Sequence, residues 1–408
     1  MTRRLAVVAS HPVQYQAPYF RALAQRLDLT VFFCQPHDAD LERRAGYADG
    51  FSWDVPLLEG YRHVWLRNVA RRPDVSRFSG CDTPEISERL AEGGFDVCVV
   101  HGWFLKSYLQ AIVAGRRLGI PVLLRGDSQL ATRRSLLRQA VKYLPYRVLL
   151  NCVAGHLVVG SANREYLRHY GVPDARLFDV PHAVDDRWFA AMADAARRAG
   201  ARQRERAALG LPEDALVALF VGRLVPSKRV EDFVRALASP ALATRIRGMI
   251  VGSGPEESRL RQLARSLQAP VVFAGFRNQR ALPACYAAAD LLVLPSDGRE
   301  TWGLVANEAL ACGLPVVVSD AAGCARDLGV PAAGRTYPLG DVDGLAAAIT
   351  SVAAAVSENP DAVAAAAVAR SRLFSLDRAV DGTIAAVEAA CLSQADRRRA
   401  HVASEYPR

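Results

Sequence analysis

Short apolar runs recur through the first half of the chain, at 5–10, 30–33, 97–100, 122–125, 157–159 and 177–180. Between them, 17–26, 105–118, 133–147 and 162–170 carry apolar residues at three- and four-residue spacing and predict helices. Strands that are apolar throughout, rather than alternating, are covered on both faces, as in a parallel sheet layered between helices. The stretch 187–209 breaks the pattern with charge and alanine and reads as a connector. The alternation then restarts, with strands at 217–221, 248–251, 271–274, 291–294 and 315–319. The expected fold is α/β, with two doubly wound, Rossmann-like parallel-sheet domains facing each other across a cleft. The first spans 1–183 and the second 184–375; a terminal helix, 376–408, packs back towards the first domain and frays at its end. The alanine run 362–369 favours helix, and 181–185 reads as a hinge with a capping residue. The segment 35–90, rich in Arg, Pro and aromatics, yields no elements.

One helix carries a second possibility. In 133–147 and just beyond, Leu136, Leu137, Ala140, Val141, Leu144 and Val148 form one stripe and Arg134, Arg138 and Lys142 another. An ordinary helix would lay the apolar stripe on the first sheet. The same pattern suits peripheral contact with an anionic membrane.

Composition narrows the function classes. Of 408 residues, 51% are hydrophobic and 23% charged, enough apolar surface for two cores. Eight cysteines without a CxxC pair suggest neither a zinc site nor a disulfide framework, and point to reduced thiols in a cytoplasmic protein. The opening apolar run is too short for a signal peptide and is followed by His11-Pro12-Val13-Gln14 in place of a small-residue cleavage site. No apolar run reaches bilayer-spanning length. The net charge of +9 favours anionic partners, although an Arg- and Ala-rich codon bias produces the same balance. The basic residues are dispersed and no nucleic-acid module is recognisable, so nucleic acid is not the expected partner.

The candidate chemistry lies at the carboxyl ends of the second-half strands. Strand 217–221 ends in Gly222-Arg223, with Lys228 five residues on, so two cations flank a turn where glycine admits a close backbone approach. The next strands end in Gly252-Ser253-Gly254-Pro255 and Gly275-Phe276-Arg277. The strand 291–294 is followed by Glu300, then Gly303-Leu304-Val305 at a helix start, then Glu308 inside that helix. A helix N-terminus at the end of a parallel strand attracts anions. Two carboxylates beside an anion site suit a ligand bearing both phosphate and many hydroxyls, such as a nucleotide sugar.

In this order the motifs resemble glycosyltransferase family 4, the group 1 type of retaining transferase with the GT-B fold. The resemblance covers the whole second half. It implies that Arg223 and Lys228 neutralise the donor diphosphate and that Glu300 holds hydroxyls of the transferred sugar. It implies further that Glu308 holds the ribose and that backbone at Gly303, Leu304 and Val305 meets phosphate or sugar. Phe276 and Arg277 would border the base, with Gly222, Gly252 and Gly254 shaping the loops. It also implies no cofactor and no metal, with the cation pair and helix dipole doing that work.

The first half departs from the family. Its first loop is Ser10-His11-Pro12-Val13-Gln14-Tyr15-Gln16, without glycine, and offers His11, Gln14 and Gln16 as donors. Where many relatives carry a His-Asp pair this chain has Arg125-Gly126-Asp127-Ser128, leaving Arg125 and Asp127 as acceptor-side candidates with His101 and Trp103. Trp103 suits either a sugar-stacking face or the core. The expected partners are a nucleotide-sugar donor and a carbohydrate, lipid-linked or small-molecule acceptor. Transfer of a hexose with retention is the leading expectation, and nucleotide-sugar epimerisation or hydrolysis on the same fold the alternative.

Overall fold

The computed structural model describes residues 2–36, 52–131, 136–243 and 245–405, with side chains for all of these except 136–139, 241, 243 and 395–405. The first sheet contains β1 (Arg4–Ala9), β2 (Asp28–Phe33), β3 (Arg62–Trp65), β4 (Val97–Val100), β5 (Val122–Gly126), β6 (Gly155–Val158) and β7 (Leu177–Asp179). The second contains β8 (Leu216–Val221), β9 (Ile246–Val251), β10 (Val271–Gly275), β11 (Leu291–Leu294), β12 (Val316–Ser319) and β13 (Gly334–Tyr337). Strand orders are β3-β2-β1-β4-β5-β6-β7 and β10-β9-β8-β11-β12-β13, and all neighbours are parallel. Two parallel-sheet, Rossmann-like domains result.

Each sheet reverses its winding beside its first strand, between β1 and β4 and between β8 and β11. Strands β8 and β11 pair over only two residues, Leu291↔Ala218 and Leu292↔Leu219. Their carboxyl ends are therefore free to part, which opens the crevice where doubly wound sheets bind ligands.

Two of the four edge strands, β3 and β13, escape the sequence pattern. Arg62-His63-Val64-Trp65 and Gly334-Arg335-Thr336-Tyr337 lack the continuous apolar run of a central strand, because one side of each is uncovered. The expected connector at 187–209 is in fact two helices, Asp186–Arg198 and Ala201–Ala208. Its charge is partly internal. Arg206 is buried, ion-paired with Asp290 at 2.7 Å, and donates to the carbonyls of Ala288, Glu213 and Ala215. Asp185 caps the first of these helices by accepting from the Trp188 backbone N–H at 3.0 Å.

The helix Leu136–Asn151 also departs from expectation. Val141, Leu144 and Val148 do not lie on the first sheet; they are exposed. The helix is anchored by its other side, through Leu150 with Tyr146 and Leu149 against the core. The terminal helix Leu376–Glu405 lies against the first domain, where the Tyr19 and Thr383 hydroxyls meet at 2.6 Å. A Cβ at Gly382 would sit 2.0 Å from the Asp179 carbonyl oxygen, so only glycine permits this approach. The helix runs unbroken to Glu405 through most of the segment expected to fray.

Candidate active site

Backbone hydrogen bonds stitch the loops at the carboxyl edge of the second sheet into one surface. Gly222 N–H donates to Val251, Leu224 to Ser253, Gly252 to Gly275 and Asp297 to Ser227, all within 3.0 Å. Two glycines are required by contact. A Cβ at Gly252 would lie 1.8 Å from the Gly222 carbonyl oxygen, and one at Gly254 would lie 2.4 Å from that of Leu224. Gly303 has φ +106°, which favours glycine, and opens the helix Leu304–Ala311. In that first turn the N–H groups of Leu304 and Val305 have no carbonyl four residues back within the helix, the condition that makes a helix start attract anions.

Lys228 projects from the turn after β8 and forms an ion pair with Glu300, which also accepts from the Ser296 hydroxyl at 3.1 Å. Arg223 stands one residue beyond Gly222, and its buried Nε has no hydrogen-bond partner among the described residues. A buried donor left unmade costs on the order of 1–3 kcal/mol, which an anion at this point would recover. A cavity of about 130 Å³ adjoins it, lined by Gly222, Arg223, Gly252, Phe276, Arg277, Val305 and Glu308 from the second domain and by Gln14 and Trp53 from the first.

Glu308 is buried and accepts from the Tyr286 hydroxyl at 2.6 Å. Loss of water pushes its carboxyl pKa up to about 7, against the downward pull of hydrogen bonds from Tyr286 and Gln279. Burial, with the neighbouring Glu308, raises the Tyr286 hydroxyl well above its ordinary range, so it stays a donor.

The first-domain candidates separate into two groups. Gln14 reaches the cavity, and Asp127 accepts from the Thr301 hydroxyl across the cleft at 2.6 Å. His11 Nδ1 lies 2.9 Å from the Ser10 hydroxyl, and Gln16 opens the helix Gln16–Ala24. The remaining three serve the interior. Trp103 is buried, stacked on Tyr166 with ring centroids 6.1 Å apart, so the core is its place. Arg125 is buried and donates to the carbonyls of Val180 at 2.8 Å and Pro181 at 3.2 Å, tying β5 to the hinge. Burial lowers its pKa. His101 packs on Phe20, and burial with nearby Arg125 and His182 lowers its pKa to about 3, which keeps it neutral.

Several residues at the site carried no signal in the sequence. Gln129 is buried at the domain boundary, and its amide NH₂ faces the carbonyls of Glu300 at 2.8 Å, Ala321 at 3.2 Å and Gly298 at 3.3 Å. The first domain thereby grips the loop that carries Glu300. Further contacts span the cleft: Glu165 pairs with Arg326, Ser161 with Asp327, and Asn307 donates to the His182 carbonyl at 3.0 Å. Trp53 reaches the cavity from a segment anchored across the cleft, where Asn278 donates to the Ser52 carbonyl at 2.8 Å. Among the described residues no three His, Cys, Asp or Glu side chains gather as a metal site.

With this geometry established, comparison with known proteins gives a consistent result. The family model described as "Glycosyl transferases group 1" matches residues 201–366, the part that carries the two cations and both glutamates. A D-inositol 3-phosphate glycosyltransferase of Geodermatophilus obscurus is 35% identical over 369 residues, covering 82% of this chain and 78% of its own. The protein of the same name from Mycobacterium avium is 28% identical, covering 85% and 84%. Among solved structures, Anabaena Alr3699/HepE in complex with UDP superposes with a TM-score of 0.65 at 18% identity, covering 94% of this chain and 98% of its own. A glycosyltransferase of Rickettsia africae superposes with a TM-score of 0.71 at 12% identity, covering 95% and 98%. The chain belongs to the group 1 glycosyltransferases of glycosyltransferase family 4, and its two facing Rossmann-like domains are those of the GT-B fold.

Proposed function

We propose that the protein moves a hexose from a nucleoside diphosphate sugar to an acceptor hydroxyl, with retention of anomeric configuration and without a metal ion. The observation that carries this reading is the Lys228–Glu300 pair beside the buried Nε of Arg223, which has no partner among the described residues, at the crevice between β8 and β11. A diphosphate in this crevice meets Arg223 from one side and draws the Lys228 ammonium from Glu300. The freed carboxylate then accepts from hydroxyls of the transferred sugar. Glu308 accepts from the ribose, and Phe276, Arg277 and Trp53 border the base. As the bond between the anomeric carbon and the β-phosphate oxygen breaks, its electron pair leaves with the diphosphate. Arg223, Lys228 and the helix start at Gly303 stabilise that growing charge. The acceptor oxygen bonds the anomeric carbon on the same face and its proton passes to the β-phosphate.

UDP-sugars are the first donors to test, because Anabaena Alr3699/HepE is a UDP complex. The acceptor is a hydroxyl on a polysaccharide, a glycolipid or a small metabolite; relatives named for D-inositol 3-phosphate make a phosphorylated polyol the first to try. Eight free cysteines fit a reducing compartment, and the cytoplasm is the proposed location. A nucleotide-sugar panel in EDTA, read by release of nucleoside diphosphate, tests the reading. One or more donors should turn over with an acceptor present, and Lys228→Ala should abolish the signal; binding of no nucleotide sugar at all would reject it.

A further inference from the structure

We propose that the exposed side of the helix Leu136–Asn151 is a docking surface for an anionic lipid bilayer. Val141, Leu144 and Val148 stand at intervals of three and four residues, so they share one face. They are 68%, 66% and 63% exposed, although they are among the most apolar residues of the helix. Single exposed apolar residues are commonplace on protein surfaces, but a row of three on one helical face is a patch that excludes water only when something covers it.

The charge around this row identifies the cover. No Asp or Glu occurs in the sequence between Asp127 and Glu165, and Lys142 and Arg147 lie on the helix itself. At the carboxyl end of the helix, Arg176 donates to the Asn151 carbonyl at 3.2 Å and Arg116 to that of Cys152 at 2.9 Å. Among the described residues none of Lys142, Arg147, Arg116 and Arg176 forms an ion pair with a carboxylate. Lys142 lies over the Tyr146 ring, its ammonium 4.6 Å from the centroid. Apolar residues bordered by unneutralised cations match a bilayer whose interior takes the side chains and whose headgroups take the charge.

A second copy of the chain fits this face less well. A two-fold contact would bring the same cations together without a carboxylate to meet them, and like charges brought together oppose association. No helix among the described residues is long and apolar enough to cross a membrane, so the contact is peripheral. This inference does not depend on the donor assignment.

Co-sedimentation of the full chain with vesicles tests it, using phosphatidylcholine alone and phosphatidylcholine mixed with phosphatidylglycerol. The protein should pellet with the mixed vesicles, remain in solution with the neutral ones, and be released by added salt. Leu144→Ser with Val148→Ser should lower partitioning about tenfold or more, since each side chain loses an apolar anchor. Lys142→Gln with Arg147→Gln should lower it without removing the apolar row. Both pairs lie on the surface, and circular dichroism and thermal unfolding should show them folded like the wild type. Equal partitioning of wild type and the serine pair, or no binding to phosphatidylglycerol vesicles, would overturn the proposal. So would a concentration-dependent dimer, seen without lipid and lost in the serine pair, which would make this face an interface between copies.

Discussion

Glu308→Gln should remove a pH dependence from the stability of the second domain while damaging donor binding. Burial holds the Glu308 carboxyl at about 7, against an ordinary value of 4.5. The folded protein therefore keeps this proton to a higher pH than the unfolded chain does. Between pH 4.5 and about 7 the unfolded chain ionises first, and wild-type stability falls as pH rises; above that window both states are ionised and the slope ends. A gap of this size corresponds to about 3 kcal/mol at roughly 1.4 kcal/mol per unit. Glutamine keeps the shape, still accepts from the Tyr286 hydroxyl, and has no charge to desolvate. Wild type and variant should therefore unfold alike near pH 4.5, and the variant should be more stable by up to about 3 kcal/mol at pH 8. Urea titrations across this pH range, followed by tryptophan fluorescence, give the difference directly. Isothermal titration with a nucleoside diphosphate should show weaker binding in the variant. A stability difference that stays constant with pH would refute the assignment of a buried, proton-retaining carboxyl.

Lys228→Ala and Arg223→Ala should each lower kcat by two or more orders of magnitude with unchanged circular dichroism, because each removes about 3 kcal/mol of leaving-group stabilisation; near-normal rates in both would remove the diphosphate clamp. Gln129→Leu should lower kcat more than it raises the donor KM, since its amide holds the Glu300 loop and not the nucleotide; a pure KM effect would show that the loop needs no such support. Activity should survive EDTA, and a complete loss restored only by manganese or magnesium would establish a metal requirement.

The loops of the second domain were legible because their backbone geometry needs particular residues. Gly252 and Gly254 cannot be replaced without collision, and Gly303 opens a helix at φ +106°, so the spacing itself records how these loops are built. The central strands were equally plain, being apolar throughout. The first domain wrote less into its sequence. Gln129 acts through carbonyls 169 to 192 residues away, and nothing local to it announces those partners. Trp53 lies in a stretch without periodicity, and Arg125 resembles a ligand-binding arginine until its guanidinium is seen on the Val180 and Pro181 carbonyls. Edge strands β3 and β13 are half-covered and so lose the signal of a buried run. The helices of 187–209 were hidden for the opposite reason: Arg206 is charged yet interior.

The stereochemistry of the fresh product tests the central claim most directly. Glu300 is paired with Lys228 and Ser296, in a loop ahead of the helix, and in the proposed reaction it orients the sugar while the diphosphate takes the acceptor's proton. Proton NMR of the glycoside formed from an α-linked gluco- or galacto-configured donor reads its configuration from the coupling of the anomeric proton. The account predicts an α-linked product, with no glycosyl adduct on Glu300 detectable by mass spectrometry. A β-linked product would contradict same-face transfer.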